Sequence, residues 1–507
     1  MSLPSLPSAE PVTDRAAQAD TLLCADRQFG DSDAIRARNL ARFRLGLTML
    51  ARHDGEAADV LRTTAAAPAE RLRPLLYDPV LRNCFEVDLA RLENDRLERS
   101  SFGLYVRGHL TAAAAEIPSS LGPCEALIHP QRSAWPGLGD AWVLSEPTPQ
   151  GPSQDMLAGR LMELYRDALG GGQAGSPVDP TDAERAVLRD GAELLATLLP
   201  ASGAGVLGHV TMVGFTRRES EEGPLQSMSG GDPLPSTVLL APERCTSPWL
   251  IAESLLHEGA HLKLFDALRT GSLVRNATET VPIPWRIGSW TVIRVFVALH
   301  FYVHLMVFRA AAEAPGEEIR ERFGPPPSAE DLDEPSPGTP AALSGQYRTS
   351  AERARYLAEC VLSLPEQSLT ENGRRFARWL LTALRLVDVD APDSDEEVRA
   401  GGTWLPQAVP SQEIASASAL RRATPVDACA LPDLGQLVVS TVRSGRMHWL
   451  NARSWTVYSL CDGRDLDSLH TAYAGAAGLP VGSEEAGRQV TDSLRLLVAA
   501  GLVTHDT

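Results

Sequence analysis

The spacing of apolar residues along the chain predicts a protein built mainly from helices. Apolar positions recur every three or four residues, the period of an amphipathic helix, over 31–54, 55–64, 70–81, 84–97, 181–199, 350–364 and 372–387. A longer apolar run over 290–313 has the length of a helix but little polar face, so we expect it to be buried in a core. The first part of the chain is therefore expected to be mainly α, with a few short strands.

Four apolar or β-branched segments predict those strands. They lie at 104–110, 142–145, 206–215 and 238–240. His209 falls within the third of them. We interpret it as a satisfied, semi-buried histidine rather than as a metal ligand.

The last part of the chain follows a different pattern, which predicts a small α+β domain. Strands are expected at 436–440 and 447–451, a turn at 461–465, and helices at 454–460, 466–476 and 484–500. Pro, Ser, Ala and acidic residues dominate the segment before it, which is typical of a linker. We therefore expect a flexible N-terminus over 1–30, a first domain over 31–388, a linker over 389–428 and a second domain over 429–507.

The charge and the cysteines of the chain limit the partners and the cellular compartment that we expect. The net charge of −18 and the lack of a Lys/Arg cluster argue against nucleic acid as the main partner. The seven cysteines form no CxxC pair, which indicates free thiols in a reducing cytoplasm. No basic stretch followed by an apolar run occurs near the first residue, so no signal peptide is expected. The run at 291–312 contains Arg294, His300, His304 and Arg309, and is too polar to predict a membrane span.

The segment His257-Glu258-Gly259-Ala260-His261 is an HExxH motif. Histidines four apart lie one turn apart on one face of a helix, so both can bind a single metal ion. Glu258 can polarise a metal-bound water or support a ligand. Apolar residues on both sides predict a helix here, and a strand running beside it would line a substrate groove. We therefore expect a metal site at His257 and His261, with Glu258 as a catalytic residue.

A working metal site needs a third ligand. The extension HExxHxxGxxH is absent, because Leu-Lys-Leu-Phe-Asp-Ala follows His261. His300 is the first candidate. It and His304 share one face of the apolar run, where each buried polar group must be satisfied by a partner. His304 and Glu279 are the alternatives. Glu279 lies 18 residues after His261, but its neighbours do not predict a helix.

Arg286 and Arg294 stand near the start of the same apolar run. Either guanidinium could form a bidentate pair with a carboxylate, as a 2-oxo acid cosubstrate would require. The alternative for each is an ion pair with one of the many acidic residues of the chain.

Several of these segments resemble the HExxH-type peptide β-hydroxylases, which are iron(II)- and 2-oxoglutarate-dependent enzymes of ribosomal peptide natural-product pathways. The resemblance covers about residues 200–385 and is carried by 255–264, Pro284-Trp285-Arg286, Leu299-His300-Phe301-Tyr302, Arg353-Ala354-Arg355-Tyr356-Leu357 and 369–374. It implies that His257, His261 and His300 hold the iron. It also implies that Glu258 is a supporting residue and not the base of a peptidase.

The order of elements over 429–507 resembles a PqqD-like leader-peptide recognition domain, which is similar to a small winged helix-turn-helix. Such a domain binds the leader of a precursor peptide as an extra strand, and the resemblance implies 437–440 or its partner strand as the receiving edge. A DNA-binding winged helix is the alternative. The helix at 484–500 carries only Arg488 and Arg495 as cations, so no nucleic acid is expected as a partner.

Together these features predict a cytoplasmic enzyme that hydroxylates a β-carbon in a ribosomally made precursor peptide, with Fe(II) and 2-oxoglutarate as cofactors. The captured leader would raise the effective concentration of the tethered core peptide at the metal. One alternative is a zinc endopeptidase that removes a leader, with Glu258 as general base. The other is a catalytically silent scaffold, against which the intact HExxH argues. The sequence predicts no membrane partner and no particular oligomeric state.

Overall fold

The computed structural model describes residues 11–112, 132–135, 139–146, 152–170, 176–217, 219–220, 223–286, 288–328, 347–392, 419–423, 426–441 and 446–505. The chain divides into two compact units. The first comprises Met1–Arg36, Tyr77–Asn83 and Leu121–Gly402, and the second comprises Ala37–Leu76, Cys84–Ser120 and Thr403–Thr507. Helices dominate the described residues and strands are few and short, as the sequence predicts.

Most of the predicted helices are confirmed. In chain order the helices before residue 392 are α1 (Val12–Ala25), α2 (Ser32–His53), α3 (Ala58–Ala65), α4 (Ala69–Tyr77), α5 (Pro79–Glu93), α6 (Ser101–Ala112), α7 (Pro152–Ala168), α8 (Asp182–Leu198), α9 (Ser202–Leu207), α10 (Pro248–Leu268), α11 (Val292–Ala312), α12 (Glu317–Phe323), α13 (Ser350–Leu362) and α14 (Glu371–Val387). Local sequence sets several of their starts. The Thr181 side chain, for example, accepts a hydrogen bond from the backbone N–H of Glu184 in a capping box that begins α8.

A five-stranded sheet in the first unit forms one wall of its core. The strands of this part of the chain are β1 (Arg132–Trp135), β2 (Gly139–Leu144), β3 (Met212–Phe215), β4 (Glu219–Ser220), β5 (Gly223–Pro224), β6 (Ser227–Ser229), β7 (Thr237–Leu240), β8 (Thr280–Pro282) and β9 (Ser289–Thr291). The sheet has the order β1-β2-β3-β7-β6. Strands β2, β3 and β7 are parallel, and β6 runs antiparallel to β7 at the edge. The remaining strands form the separate pairs β4–β5 and β8–β9.

Helices α10 and α11 form the centre of the first unit. Residues all around α10 are buried, which is typical of a helix in the middle of a core. Helix α11 is long and apolar enough to cross a membrane, but 72% of its most apolar window is buried inside the protein. It packs against α10, α13 and α14. This confirms the prediction of a buried core helix over the apolar run.

Two predicted strands are wrong in whole or in part. Residues 104–110 belong to α6, where Phe102 and Val106 are both fully buried at the four-residue spacing of a helix face. Only the second half of 206–215 is a strand, because its start lies in α9. His209 therefore lies in the turn between α9 and β3. The predicted strands at 142–145 and 238–240 are confirmed, with small shifts, as β2 and β7.

The described part of the expected flexible N-terminus contains helix α1. Helix α1 buries Ala16, Ala19 and Leu23, and the last two belong to the core of the first unit. The indole N–H of Trp379 donates a hydrogen bond of 3.1 Å to the carbonyl oxygen of Leu22. The small side chains of this segment are typical of a loose chain, but they also suit a helix that packs closely on its neighbours.

The second unit contains an aromatic cluster and a C-terminal α+β part. Phe43 makes edge-to-face contacts with Phe85 and Phe102, at ring-centroid distances of 4.7 and 5.5 Å. The elements of the C-terminal part are β10 (Leu420–Arg422), β11 (Val426–Leu431), β12 (Gln436–Thr441), β13 (Met447–Leu450), α15 (Ala452–Leu460), β14 (Asp462–Arg464), α16 (Leu466–Ala477), α17 (Glu484–Ala499) and β15 (Val503–His505). Strands β11, β12 and β13 form an antiparallel sheet in that order, and a second sheet has the order β14-β10-β15.

The boundaries of the C-terminal part differ from those expected. Strand β10 and the first half of β11 lie inside the segment predicted as a linker at 389–428, most of whose other residues are outside the described part of the chain. The predicted turn at 461–465 contains β14, which pairs with β10. Residues 437–440 lie in the central strand β12, which is paired on both sides, so they are not an edge.

The domain division differs as well. The expected first domain at 31–388 is split, because 37–76 and 84–120 group with the C-terminal residues. A salt bridge of 2.5 Å between Arg52 and Asp427 is one of the contacts within that second unit. Such long-range grouping depends on tertiary contacts, which local periodicity does not encode.

Candidate metal centre

The HExxH segment lies near the middle of α10, in the first unit. The Ser247 side chain caps the start of this helix by accepting a hydrogen bond of 3.2 Å from the backbone N–H of Trp249, and Pro248 fills the first helical position. Gly259 allows α9 to approach, because a Cβ atom at this position would lie 2.4 Å from Cγ1 of Val206. Packing on all sides thus holds the helix that presents the metal-binding residues.

His257, Glu258 and His261 form a group with the geometry of a metal site. One ligand atom from each residue lies within 4.8 Å of the other two. Nδ1 of His257 is 3.8 Å from Oε1 of Glu258, and the two imidazole centroids are 4.9 Å apart. Nδ1 of His261 is buried and has no hydrogen-bond partner in the described part of the chain. A bound metal ion would satisfy such a nitrogen, so these three residues fit a divalent metal.

Both histidines are neutral at pH 7 and therefore ready to bind a metal. Burial, and after it the charge of Arg244, lowers the pKa of His257 to about 3. Burial and the neighbouring His257 lower the pKa of His261 to about 4. The side chain of His257 is 37% exposed, so solvent moderates its shift, but the direction leaves a free lone pair on each ring.

Glu258 is held against the edge strand of the sheet. The Ser227 hydroxyl donates a hydrogen bond of 2.7 Å to its Oε1, and the backbone N–H of Ser229 donates another to the carboxylate. Burial raises the pKa of Glu258, while His261 and the two hydrogen bonds oppose that rise. The carboxylate is thus fixed between β6 and the two histidines.

The third ligand that the sequence predicts, His300, lies outside this group of donors. Its ring is fully buried and stacks on Phe376, with centroids 5.7 Å apart. Neither ring nitrogen of His300 has a hydrogen-bond partner in the described part of the chain. His304 is also buried, and its Nδ1 donates to the carbonyl oxygen of His300 at 2.8 Å. A ligand role for His300 stays a prediction, whereas Glu258 is the donor that lies beside both HExxH histidines.

The other residues singled out from the sequence are not in the group either. Glu279 directly precedes β8, and its carbonyl oxygen accepts from the backbone N–H of Val292. Arg286 is exposed in the β8–β9 hairpin. Arg294 is exposed near the start of α11, with its guanidinium 4.7 Å from the ring centroid of Trp290. Arg294 therefore contacts an aromatic ring of the β8–β9 hairpin rather than the HExxH histidines.

A buried polar network stabilises the far end of α10. Nδ1 of His209 lies 2.6 Å from Oδ2 of Asp266, whose other oxygen pairs with Arg82. The Arg82 guanidinium also donates to the Ser236 hydroxyl at 2.7 Å. Burial alone would raise the pKa of Asp266, but Arg82 and His209 lower it to about 2. This arrangement supports a structural role for His209, but the residue is fully buried rather than semi-buried, and its Nε2 has no hydrogen-bond partner in the described part of the chain.

Sequence reasoning missed three residues that contact the HExxH group or lie beside it. Phe301 stacks on His257, Ser227 bonds Glu258, and Arg244 lies on the turn before α10. Ser227 and Arg244 belong to short irregular segments with no periodic signal. The only sequence signal at Phe301 is its position directly after His300.

Comparisons with known proteins add no relative to this description. No protein-family model matches the chain, and the search of curated proteins finds no match. The resemblance described from the sequence therefore stays a prediction.

Proposed function

We propose that this protein is a cytoplasmic, metal-dependent oxygenase that hydroxylates a residue of a ribosomally made precursor peptide, with Fe(II) and 2-oxoglutarate as cofactors. The observation that carries the proposal is the group of two neutral histidines and one carboxylate within 4.8 Å. Two histidines and a carboxylate with open positions are typical of non-haem iron oxygenases. The iron, when bound, would supply the activation of oxygen.

The residues around the donors support a role in positioning the metal and a substrate. Phe301 restricts the ring of His257, and Ser227 restricts the carboxylate of Glu258. The partial exposure of His257 leaves one side of the site accessible to a substrate. These contacts hold the metal-binding side chains in place, while the exposed side of His257 stays open to a substrate.

The edge strand β6 supports a peptide as the substrate. It pairs with β7 on one side, and the described residues include no partner on its other side. An extended peptide can add to such an edge through backbone hydrogen bonds. The Ser227 side chain and the Ser229 N–H contact Glu258, so a peptide on this edge would lie next to the metal-binding residues and would pair with the backbone groups of β6 that Glu258 leaves free.

The C-terminal part of the second unit supports capture of a leader peptide. An antiparallel three-stranded sheet is followed by α15, α16 and α17, an arrangement that suits a PqqD-like domain of winged helix-turn-helix type. Within the described residues β13 is paired only with β12, so β13 is the edge that we propose for the leader. Because this domain and the metal site belong to the same chain, a leader bound at β13 would raise the concentration of the core peptide at the metal.

Incubation with precursor peptides encoded beside the gene tests the proposal. With Fe(II), 2-oxoglutarate and oxygen, we expect one peptide to gain the mass of one oxygen atom and 2-oxoglutarate to be consumed. The His257→Ala variant should lose this reaction and keep leader binding, which would also exclude a silent scaffold. A peptide without its leader should react much more slowly.

A zinc peptidase is the second candidate, and one observation favours it. Glu258 is fixed beside both histidines and next to an edge strand, which is also what general-base hydrolysis of an extended peptide requires. In that case zinc should support the reaction without 2-oxoglutarate. The product would be a shortened peptide rather than an oxygenated one.

A further inference from the structure

Lys263 is the only lysine among the 47 lysine and arginine residues of the chain. It lies on α10, two residues after His261, and it is fully buried, which is rare for a lysine. Its Nζ makes no hydrogen bond within the part of the chain that the structure describes. A guanidinium serves equally well in an ion pair, so a primary amine retained at this one position indicates chemistry that an amine nitrogen performs and a guanidinium does not.

The amine of Lys263 and the thiol of Cys24 both lie beside Gly205. A Cβ atom at Gly205 would lie 3.3 Å from Nζ of Lys263 and 3.7 Å from Sγ of Cys24. The Ser32 hydroxyl borders the same space and donates a hydrogen bond of 2.9 Å to the carbonyl oxygen of Gly205. Because glycine has no side chain, no group at this position separates the amine from the thiol.

The electrostatics of the two groups agree with this proximity. Burial lowers the pKa of Lys263, and Cys24 opposes that decrease more than any other charged group. Burial raises the pKa of Cys24, and Lys263 is the charged group that opposes that rise most. Asp31 and Asp20 act on Lys263 less strongly, and both carboxylates accept hydrogen bonds from backbone N–H groups.

Cys24 gives an oxidant access to this pair. It is the last residue but one of α1, and it is partly exposed, whereas Lys263 is fully buried. Peroxides convert an accessible cysteine to a sulfenic acid, and the sulfur of a sulfenic acid condenses with a neighbouring thiol or nitrogen. At Cys24 the neighbouring nitrogen is Nζ of Lys263.

We propose that Cys24 and Lys263 form a reversible covalent cross-link between α1 and α10 when the protein is exposed to hydrogen peroxide. In the first step the Cys24 sulfur takes one hydroxyl of the peroxide, and the other hydroxyl leaves with the thiol proton as water. In the second step Nζ of Lys263 bonds to that sulfur, and the sulfenic hydroxyl leaves with one amine proton as a second water. Two molecules of a small thiol reverse the change, because they restore the Cys24 thiol and the amine and become a disulfide.

Amine labelling tests the cross-link directly, because the chain has one lysine. The full-length protein is treated with hydrogen peroxide, denatured, labelled with an amine-reactive reagent and mapped by mass spectrometry of its peptides. We expect labelling of Lys263 to be lost after oxidation and to return after a thiol is added. The oxidised sample should also contain the peptides of Cys24 and Lys263 joined together, with the sum of their masses less two hydrogen atoms.

Two cysteine variants form a matched pair. Cys24→Ser removes the reacting sulfur, so Lys263 should be labelled fully even after oxidation. Cys245→Ser is the control, because Cys245 is another partly exposed cysteine of the same unit, and this variant should lose labelling as the unmodified protein does. If Cys24→Ser folds poorly, the joined peptide in the unmodified protein decides the question without it.

Two results would overturn the cross-link. The first is full labelling of Lys263 in the peroxide-treated, unmodified protein, whatever the oxidation state of Cys24. The second is a loss of labelling that persists in Cys24→Ser, because a different group would then have modified the amine. Both results leave the oxygenase proposal unaffected, since the cross-link requires neither a bound metal nor 2-oxoglutarate.

Discussion

The ring of Phe301 lies flat on the imidazole of His257, with centroids 3.6 Å apart and ring planes 9° apart. Through this contact α11 reaches the metal-binding face of α10. The aromatic surface limits rotation of the His257 side chain, as outer partners of metal ligands commonly do. Phe301 therefore belongs to the support of the site, although its side chain offers no ligand atom.

Replacing Phe301 with Leu should separate this support from simple packing. The substitution keeps most of the apolar volume, so we expect the free energy of unfolding to change by less than about 1.5 kcal/mol. Metal affinity should fall by about tenfold, because the imidazole loses the flat surface that orients it. Isothermal titration with zinc measures the affinity, and urea unfolding of the metal-free protein measures the stability. Unchanged affinity would show that Phe301 only fills space.

The hydrogen bond from Ser227 to Glu258 leads to a second prediction. Ser227→Ala removes a donor to the carboxylate, so the pKa of Glu258 should rise further and the activity should decline at the acidic side of its pH profile. At neutral pH the rate should fall by about tenfold or more. Ser229→Ala is the matched control, because Ser229 contacts Glu258 through its backbone N–H, which the substitution retains. If both variants behave alike, the side chain of Ser227 has no special role.

Substitutions of Glu258 and His300 distinguish the two possible third donors. In the structure Glu258 lies beside the HExxH histidines and His300 stacks on Phe376. We therefore expect Glu258→Gln to lower zinc and Fe(II) affinity by tenfold or more, and His300→Gln to change it by less than about threefold. The opposite ranking would assign the third position to His300, as the family resemblance implies. Thermal unfolding of each metal-free variant controls for loss of fold.

The buried histidines predict a loss of stability in mild acid. Burial lowers the pKa values of His209, His300 and His304 below the 6.5 of an exposed histidine. As the pH falls, the histidines of the unfolded chain therefore bind protons at a higher pH than those of the folded chain. Their contribution to the free energy of unfolding is fully present above about pH 6.5 and decreases as the pH falls below that value. Each histidine contributes a slope of up to about 1.4 kcal/mol per pH unit.

His209→Asn tests that slope at a residue outside the HExxH group. Asparagine retains an N–H donor for Asp266 but cannot take up a proton at these pH values. In urea unfolding of the metal-free protein between pH 7.5 and 6, we expect the variant to lose stability less steeply than the unmodified protein. Parallel pH dependences would contradict the buried, neutral state of His209.

Segments with a long periodic signal are predicted most accurately from the sequence. The helices around 31–54, 181–199 and 372–387 and the helical setting of HExxH follow from spacing alone. The segment 104–110 resembles a strand because a short apolar run has no unambiguous period, whereas in the structure it belongs to a helix in which Val106 is buried. The local apolar pattern is therefore sufficient to predict secondary structure only where the segment is long.

The surroundings of the site could not be predicted in the same way. Ser227 reaches Glu258 because β6 adds to the edge of a sheet whose order depends on long-range pairing. Arg244 lies beside α10 because a 3-10 turn brings it back onto the helix. A search for the HExxH motif finds the donors, whereas tertiary packing selects the residues that orient them.

Anaerobic titration of the metal-free protein with Fe(II) in the presence of 2-oxoglutarate tests the central claim most directly. We expect a weak visible charge-transfer band that saturates at one iron per chain, disappears when oxygen is admitted, and is absent from His257→Ala. The absence of a band in the unmodified protein, together with stoichiometric zinc binding and a shortened peptide product, would contradict the oxygenase account and favour the peptidase.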